Sequence, residues 1–367
     1  MKAISLIPGT TKVSLADIAE PQIQAPDEVK IKMIEVGICG TDREQISGGR
    51  ADAPVGQANL IIGHEMFGQV VEIGDNVTTV EVGDYGVFTV RRGCDECLAC
   101  ANNRSDLCYT GNYVERGIKG ADGFQAEFVV DREQYLVKIP GKLRSIGVLT
   151  EPMSVAAKAI DEAMIIQGAR LKTIVPSERW LDGKRALVAG IGPIGLMAAF
   201  ALSLRGAKVI GVDIVDEHTL RPRLLKDIGG TYVDGRKVQT TDLDEVVGGS
   251  DFIFEATGIA KLQIDLIDAL AVNGIYVATG IPEGKRPMTI MAGDLMKQLV
   301  LKNQIMLGSV NASYEHYIQA VKDLEASMER WPGVIEQVIT NRVSHKNFLH
   351  AFHDDSGDDI KEVIEWS

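Results

Sequence analysis

Ala186-Leu187-Val188-Ala189-Gly190-Ile191-Gly192-Pro193-Ile194-Gly195 is the stretch on which the fold of this 367-residue chain turns. An apolar run leads into a G-x-G-x-x-G turn, and an uncharged segment follows as far as Leu204. Residues 186–204 are long enough to suggest a membrane span. Three glycines and a proline in the first half fit a buried strand–turn–helix instead. In that setting Gly190 permits the tight turn, Gly192 lets a pyrophosphate approach the helix N-terminus, and Gly195 lets helix and strand pack closely. The next apolar strand, Lys208-Val-Ile-Gly-Val-Asp213, ends in an acid near the ~20-residue offset of a ribose-binding carboxylate. The segment is therefore predicted to bind a dinucleotide through residues 190–195 and Asp213. An acid there, with no arginine directly after it, predicts NAD, with NADP as the alternative.

Outward from this stretch, the pattern differs on the two sides. Towards the C-terminus strands alternate with helices: strands over 251–255, 275–279 and 304–307, and a helix over 262–270. A helix over 154–167 precedes the motif. Such alternation predicts a parallel sheet covered on both faces. Before residue 145 the signals are β: alternation over 29–36 and strands over 68–73, 85–90 and 126–130, with no helix longer than a turn or two. A helix over 314–327, a solvated acidic turn over 354–359 and a closing strand over 360–366 complete the chain. The length suggests about two domains. Composition is that of a globular protein, 45% hydrophobic and 24% charged. A net charge of −13 disfavours nucleic acid or an anionic membrane as partner. The apolar run after Lys2 stops at Pro8-Gly9, too short for a signal peptide, and a cytoplasmic protein is expected.

Four of the five cysteines are Cys94-x2-Cys97-x2-Cys100-x7-Cys108. Four thiolates at this spacing can surround one Zn²⁺ tetrahedrally, leaving no open position, so this zinc would be structural. The rest of the loop is polar and would need the metal for its order. Cys39-Gly-Thr41-Asp42 and Gly63-His64-Glu65 supply two further zinc ligands beside turn-forming glycines. Glu151, in Glu151-Pro152 where the two patterns meet and a cleft would form, is the candidate third ligand.

Together these signals resemble the zinc-dependent medium-chain dehydrogenase/reductase superfamily over the whole chain. Gly63-His64-Glu65-x2-Gly68-x5-Gly74-x2-Val77 matches the zinc alcohol dehydrogenase signature. Within it the chain is most similar to archaeal-type glucose (aldose) 1-dehydrogenases. The residues are Cys39-Gly-Thr-Asp-Arg-Glu44, Arg91-Arg92-Gly93, Glu115-x-Gly-Ile118, Asp122-Gly-Phe124, Tyr135-Leu-Val-Lys-Ile139 and Ile360-Lys-x-Val-Ile-x-Trp366. The resemblance implies an α/β chain: a GroES-like β catalytic domain plus a Rossmann domain with a doubly wound parallel sheet. The expected boundaries are 1–152 catalytic, 153–311 Rossmann and 312–367 returning to the catalytic domain.

It further implies two zincs per chain, the catalytic one held by Cys39, His64 and Glu151, with Glu65 as an alternating or outer ligand. Thr41 would contact the reacting hydroxyl, and Glu115, Glu151 and Asn311 the sugar. Cofactor contacts are expected at Gly190, Ile191, Gly192, Pro193, Ile194, Gly195 and Asp213. Others are expected at Thr279, Gly280, Ile281, Ser309, Val310 and Asn311. Polar sugar contacts of the family are replaced by Val90, Val155 and Leu301. The expected activity is oxidation of an aldose at C1 to the aldonolactone, in a homo-oligomer, tetramer or dimer. The alternatives are a zinc-dependent polyol or secondary-alcohol dehydrogenase and a non-catalytic NAD(H)-binding sensor. The intact set Cys39, His64, Glu65 and Glu151 argues against the sensor.

Overall fold

The computed structural model describes residues 1–282, 287–352 and 358–366. The turn expected over 354–359 lies mostly outside the described residues. The chain forms two compact units. The first comprises Met1–Ser154, Asn311–Glu325 and Glu336–Ser367, and the second Val155–Val310 and Ala326–Ile335. Residues 326–335, which the sequence reading grouped with the returning segment, cluster with the second unit.

In the first unit the ten-residue strand Glu28–Gly37 is the hub. It pairs antiparallel with Glu65–Ile73 along one edge. Along the other it pairs with Phe128–Arg132 at one end and the C-terminal strand Lys361–Glu365 at the other. Ile339–Ser344 extends the sheet beyond Lys361–Glu365, and Tyr85–Phe88 with Leu136–Ile139 extends it beyond Glu65–Ile73. Alternation over 29–36 predicted a half-buried strand. Lys32 faces solvent as expected, but two other polar positions are covered: Lys30 and Glu35 are buried, paired with Glu20 and Arg342. Period two reports side-chain polarity, and here ion pairs let charged residues lie inside.

The second unit holds a six-stranded parallel sheet. Its spatial order is Thr231–Asp234, Lys208–Asp213, Arg185–Ala189, Ser250–Glu255, Leu270–Ala278, Ile305–Gly308. That is the doubly wound order 3-2-1-4-5-6, with the first strand feeding the glycine-rich turn. Residues 186–204 are strand, turn and the helix Pro193–Leu204, buried from Gly195 to Ser203. No helix among the described residues is long and apolar enough to cross a membrane.

Several elements differ from the sequence reading. The helix expected over 262–270 is Ala260–Asp265, and Leu270 already begins a nine-residue strand. Asn273, at φ 60°, and Gly274 interrupt that strand's apolar pattern. The strand Thr231–Asp234 and the helices Leu220–Asp227 and Ala292–Leu301 were not read. The helix expected over 154–167 runs Thr150–Arg170. Pro152 falls in its first turn, where no intrahelical N–H is needed. Glu151 is thereby a helical residue.

Candidate active site

The register of two strands assembles one cluster. Gly37 lies opposite Glu65, so Cys39 and His64 emerge side by side just past the paired ends. Gly37 must be glycine, because a Cβ there would overlap the Glu65 carboxylate. Gly63 turns at φ 90°, and a Cβ on it would strike Gln125. Cys39 precedes the helix Gly40–Ile46, and its backbone N–H donates to Asp42 Oδ2 at 2.8 Å. Ligand atoms of Cys39, His64 and Glu65 all lie within 4.8 Å of one another. Glu151, expected as a third ligand, is not part of that trio, but it is buried and feels the charges of His64 and Glu65.

The electrostatics are those of a site short of positive charge. Burial pushes the Glu151 carboxyl up to about 7, with Glu65 and Asp42 adding to the rise and His64 and Lys361 opposing it. Burial pulls the His64 imidazole down, but the Asp42 carboxylate and Cys39 outweigh it and hold it well above its ordinary value. His64 Nδ1 and Asp42 Oδ1 are 3.6 Å apart, and neither buried atom has a hydrogen-bond partner among the described residues. A thiol, an imidazole and two carboxyls with unsatisfied polar atoms among them fit a divalent cation of the zinc type. Asp42 stands where a carboxylate would orient a metal-bound imidazole.

Two residues here were quoted in sequence motifs without a role. One is Asp42. The other is Lys361, fully buried on the C-terminal strand. Its Nζ donates to both Glu65 oxygens, at 2.8 and 2.6 Å, and to the Ile38 carbonyl at 2.9 Å. Thr41 is the second residue of the short helix, partly exposed, and its hydroxyl bonds to no described residue.

The second cluster is the cysteine lobe. The sulfurs of Cys94, Cys97, Cys100 and Cys108 lie within 4.8 Å of one another and none is in a disulfide. The Thr110 hydroxyl brings Cys108 down to about 6, while burial pushes Cys100 up to about 12. Four convergent sulfurs fit a tetrahedral ion. The loop also has polar ties besides its sulfurs. Arg104 grips buried Asp106 through two bonds, at 2.9 and 2.8 Å, and Arg91 Nη1 donates to the Asp106 carbonyl at 2.7 Å.

Beside the lobe, Glu115 and Asn311 are in direct contact: Asn311 Nδ2 donates to Glu115 Oε1 at 2.7 Å. Arg91 was read only as part of a motif, and it donates to the same oxygen from Nε and Nη2.

In the second unit Gly190 has φ 80°, a Cβ on Gly195 would overlap the Gly190 carbonyl, and a Cβ on Gly192 would meet nothing within 4 Å. The open space before the helix N-terminus fits an approaching pyrophosphate. Asp213 Oδ2 accepts from the Ile191 N–H at 2.8 Å, joining the ends of the first two strands. Thr279 and Gly280 follow the strand Leu270–Ala278 and are tied to the Glu255 carbonyl. Ile281 is exposed. Ser309 follows the last strand, its hydroxyl buried without a partner among the described residues, and the Val310 carbonyl accepts from buried Lys158. These residues sit at the carboxyl ends of the strands, where open α/β sheets bind ligands.

Residues 25–141 match the alcohol dehydrogenase GroES-like domain and residues 144–366 the glucose dehydrogenase C-terminus. Over its full length the chain is 38% identical to glucose 1-dehydrogenase 2 of Vulcanisaeta moutnovskia and 34% to glucose 1-dehydrogenase of Methanocella arvoryzae, covering 99% of each. The structure of Haloferax mediterranei glucose dehydrogenase in complex with NADP, Zn and gluconolactone aligns with a TM-score of 0.88 at 32% identity, over 100% of this chain and 99% of that one. The chain belongs to the zinc-type medium-chain dehydrogenase family, close to archaeal glucose dehydrogenases.

Proposed function

We propose that this protein is a zinc-dependent aldose 1-dehydrogenase that oxidises the C1 hydroxyl of a glucose- or galactose-like sugar to the aldonolactone, with NAD⁺ as hydride acceptor. The observation that carries the reading is the meeting of Cys39 with buried His64 and Glu65. Its support is full-length similarity to glucose dehydrogenases, one solved with NADP, Zn and gluconolactone.

Cys39 and His64 hold the catalytic zinc, with Glu151 or Glu65 as third ligand, and Cys94, Cys97, Cys100 and Cys108 hold a structural one. Bound zinc supplies Lewis acidity to the C1 oxygen, and bound NAD⁺ accepts the hydride. Asp42 keeps the His64 ring oriented, Lys361 holds Glu65, and the Thr41 hydroxyl accepts the substrate proton and passes it outward. Glu115 accepts from a sugar hydroxyl.

The three segments 1–152, 153–311 and 312–367 serve as catalytic domain, Rossmann domain and return. NAD is favoured over NADP because Asp213 repels a 2′-phosphate. Arg236 offers no compensation: its guanidinium is engaged by Asp234 at 2.7 Å and Asp216 at 3.3 Å. The protein assembles as a homo-oligomer. The strand Ile305–Gly308 is a sheet edge, and Met296, Val300, Leu301 and Met306 are exposed on it and on the helix before it. Free metal-binding thiols suit a reducing cytoplasm.

Metal-replete protein should reduce NAD⁺ with D-glucose, D-galactose or a close aldose, less well with NADP⁺, and scarcely with ethanol. Faster turnover of open-chain polyols or secondary alcohols would replace the sugar reading. No turnover of any alcohol would leave an NAD(H) sensor.

A further inference from the structure

Arg91 uses its guanidinium in three directions. Nε and Nη2 donate to Glu115 Oε1 at 3.2 and 2.9 Å. Nη1 donates to the Asp106 carbonyl, inside the cysteine lobe, at 2.7 Å. One face of the group lies 4.0 Å from the centre of the Tyr113 ring. The two residues are register partners, Arg91 of the strand Arg91–Arg92 opposite Glu115 of the strand Val114–Arg116. Their side chains are nearly enclosed, 7% and 12% exposed.

Among the described residues, every bond to the Glu115 carboxylate falls on one oxygen. Oε1 takes both Arg91 bonds and the Asn311 amide, while Oε2 has no partner among the described residues. Asn311 is spent in the same work, since its own Oδ1 accepts from the Ala312 N–H. A carboxylate gripped on one side presents the other oxygen as a preset acceptor, and little rotamer freedom remains to be lost on binding.

Resting on the reading of Glu115 as a sugar contact, we infer that Arg91 is the positioning residue for sugar recognition: it aims Glu115 Oε2 at one substrate hydroxyl and anchors that aim to the cysteine lobe through Asp106. Asn311 then acts on the sugar through Glu115. The lobe gains a purpose besides stability, because its backbone fixes the far end of the arginine. Lysine cannot replace this arginine. An ammonium offers no planar fork to Glu115 while reaching Asp106 and stacking on Tyr113.

The test compares holoenzyme carrying Arg91→Lys, Glu115→Gln or both, using a panel of aldoses that differ from the preferred one by a single epimerised or missing hydroxyl. KM, kcat, NADH affinity and zinc content are measured for each. Arg91→Lys should raise KM for the preferred aldose about tenfold or more while kcat stays within about twofold. NADH affinity and the zinc content should match the parent. The variant should lose discrimination at the same hydroxyl as Glu115→Gln, and the double variant should be little worse than either single one. A merely structural arginine would lower stability without touching discrimination at one hydroxyl. Should the lysine variant fail to fold, Arg91→Gln, which keeps a donor for Glu115 without the fork, takes its place. Unchanged discrimination in the Arg91 variants, with discrimination lost in Glu115→Gln, overturns the role of Arg91 alone. Unchanged discrimination in Glu115→Gln overturns the sugar contact itself, and the role of Arg91 with it.

Discussion

The cysteine lobe and the Cys39–His64–Glu65 cluster both bring metal-type ligands within 4.8 Å of one another, by different routes. In the lobe, four like ligands fall within fifteen consecutive residues, on a loop tied within itself by Arg104 to Asp106 and from the preceding strand by Arg91 to the Asp106 carbonyl. In the other cluster the ligands come from two segments that are far apart in sequence: Cys39 before the helix Gly40–Ile46, and His64 with Glu65 at the start of the strand Glu65–Ile73. Its neighbours Asp42, Glu151 and Lys361 come from two helices and the C-terminal strand. The difference teaches what each part of the scaffold is for. A local loop with four sulfurs is closed by its ion and has no vacancy for chemistry. A mixed set held by a sheet that folds around it can leave a coordination position open without losing its shape.

The largest expected effect separates the two by substitution. His64→Ala should abolish turnover and remove one zinc per chain while the chain stays folded. Cys97→Ser should remove the other zinc and lower the midpoint steeply, because binding energy at a structural site is folding energy. Metal analysis and calorimetry on the two variants read this directly. Equal destabilisation by both would erase the contrast.

A somewhat smaller effect tests how far the assembled site depends on the returning C-terminal strand. In Lys361→Met, Glu65 stays buried and loses the ammonium that donates to both its oxygens. Breaking such a pair costs roughly 3–5 kcal/mol. Chemical denaturation of metal-free protein should show that loss, and saturating zinc should recover part of it. A variant as stable as the parent would show Glu65 to be satisfied by something other than Lys361.

The smallest effect is in pH. In the metal-free protein Glu151 titrates near 7 and His64 well above its usual value. Both groups hold protons in the folded state that the unfolded chain releases earlier. Stability of the metal-free form should therefore fall as pH rises from about 4.5, the usual glutamate value, through 7. Zinc displaces those protons, so the loaded protein should gain stability over the same range. Thermal midpoints of chelated and loaded protein across pH 5–8 would show the opposed slopes, and parallel slopes would contradict them. Glu151→Gln should flatten the chelated curve in part.

Read from sequence alone, the chain already declared an α/β architecture, a strand–glycine turn–helix at Arg185–Ala189 and Pro193–Leu204, and a four-cysteine lobe. These signals are local: the hydrogen bonds, turns and ligand spacings involved lie within a few residues. Cys39, His64, Glu65 and Glu151 could be named from motif resemblance, but not the trio that the structure draws closest. The first half of the strand Leu270–Ala278, masked by Asn273 and Gly274, and the charged residues buried in Glu28–Gly37 were not legible. Packing overrides local polarity wherever a partner is supplied from elsewhere.

The tertiary structure alone decided which distant groups satisfy one another. Lys361 reaches Glu65 across 296 positions, and Asn311 reaches Glu115 across 196. No periodicity encodes such pairs. Lys361 meets Glu65 because Glu28–Gly37 pairs with Glu65–Ile73 on one edge and Lys361–Glu365 on the other, in a fixed register. A shift of one residue would turn those side chains to the opposite face and leave both charges buried alone.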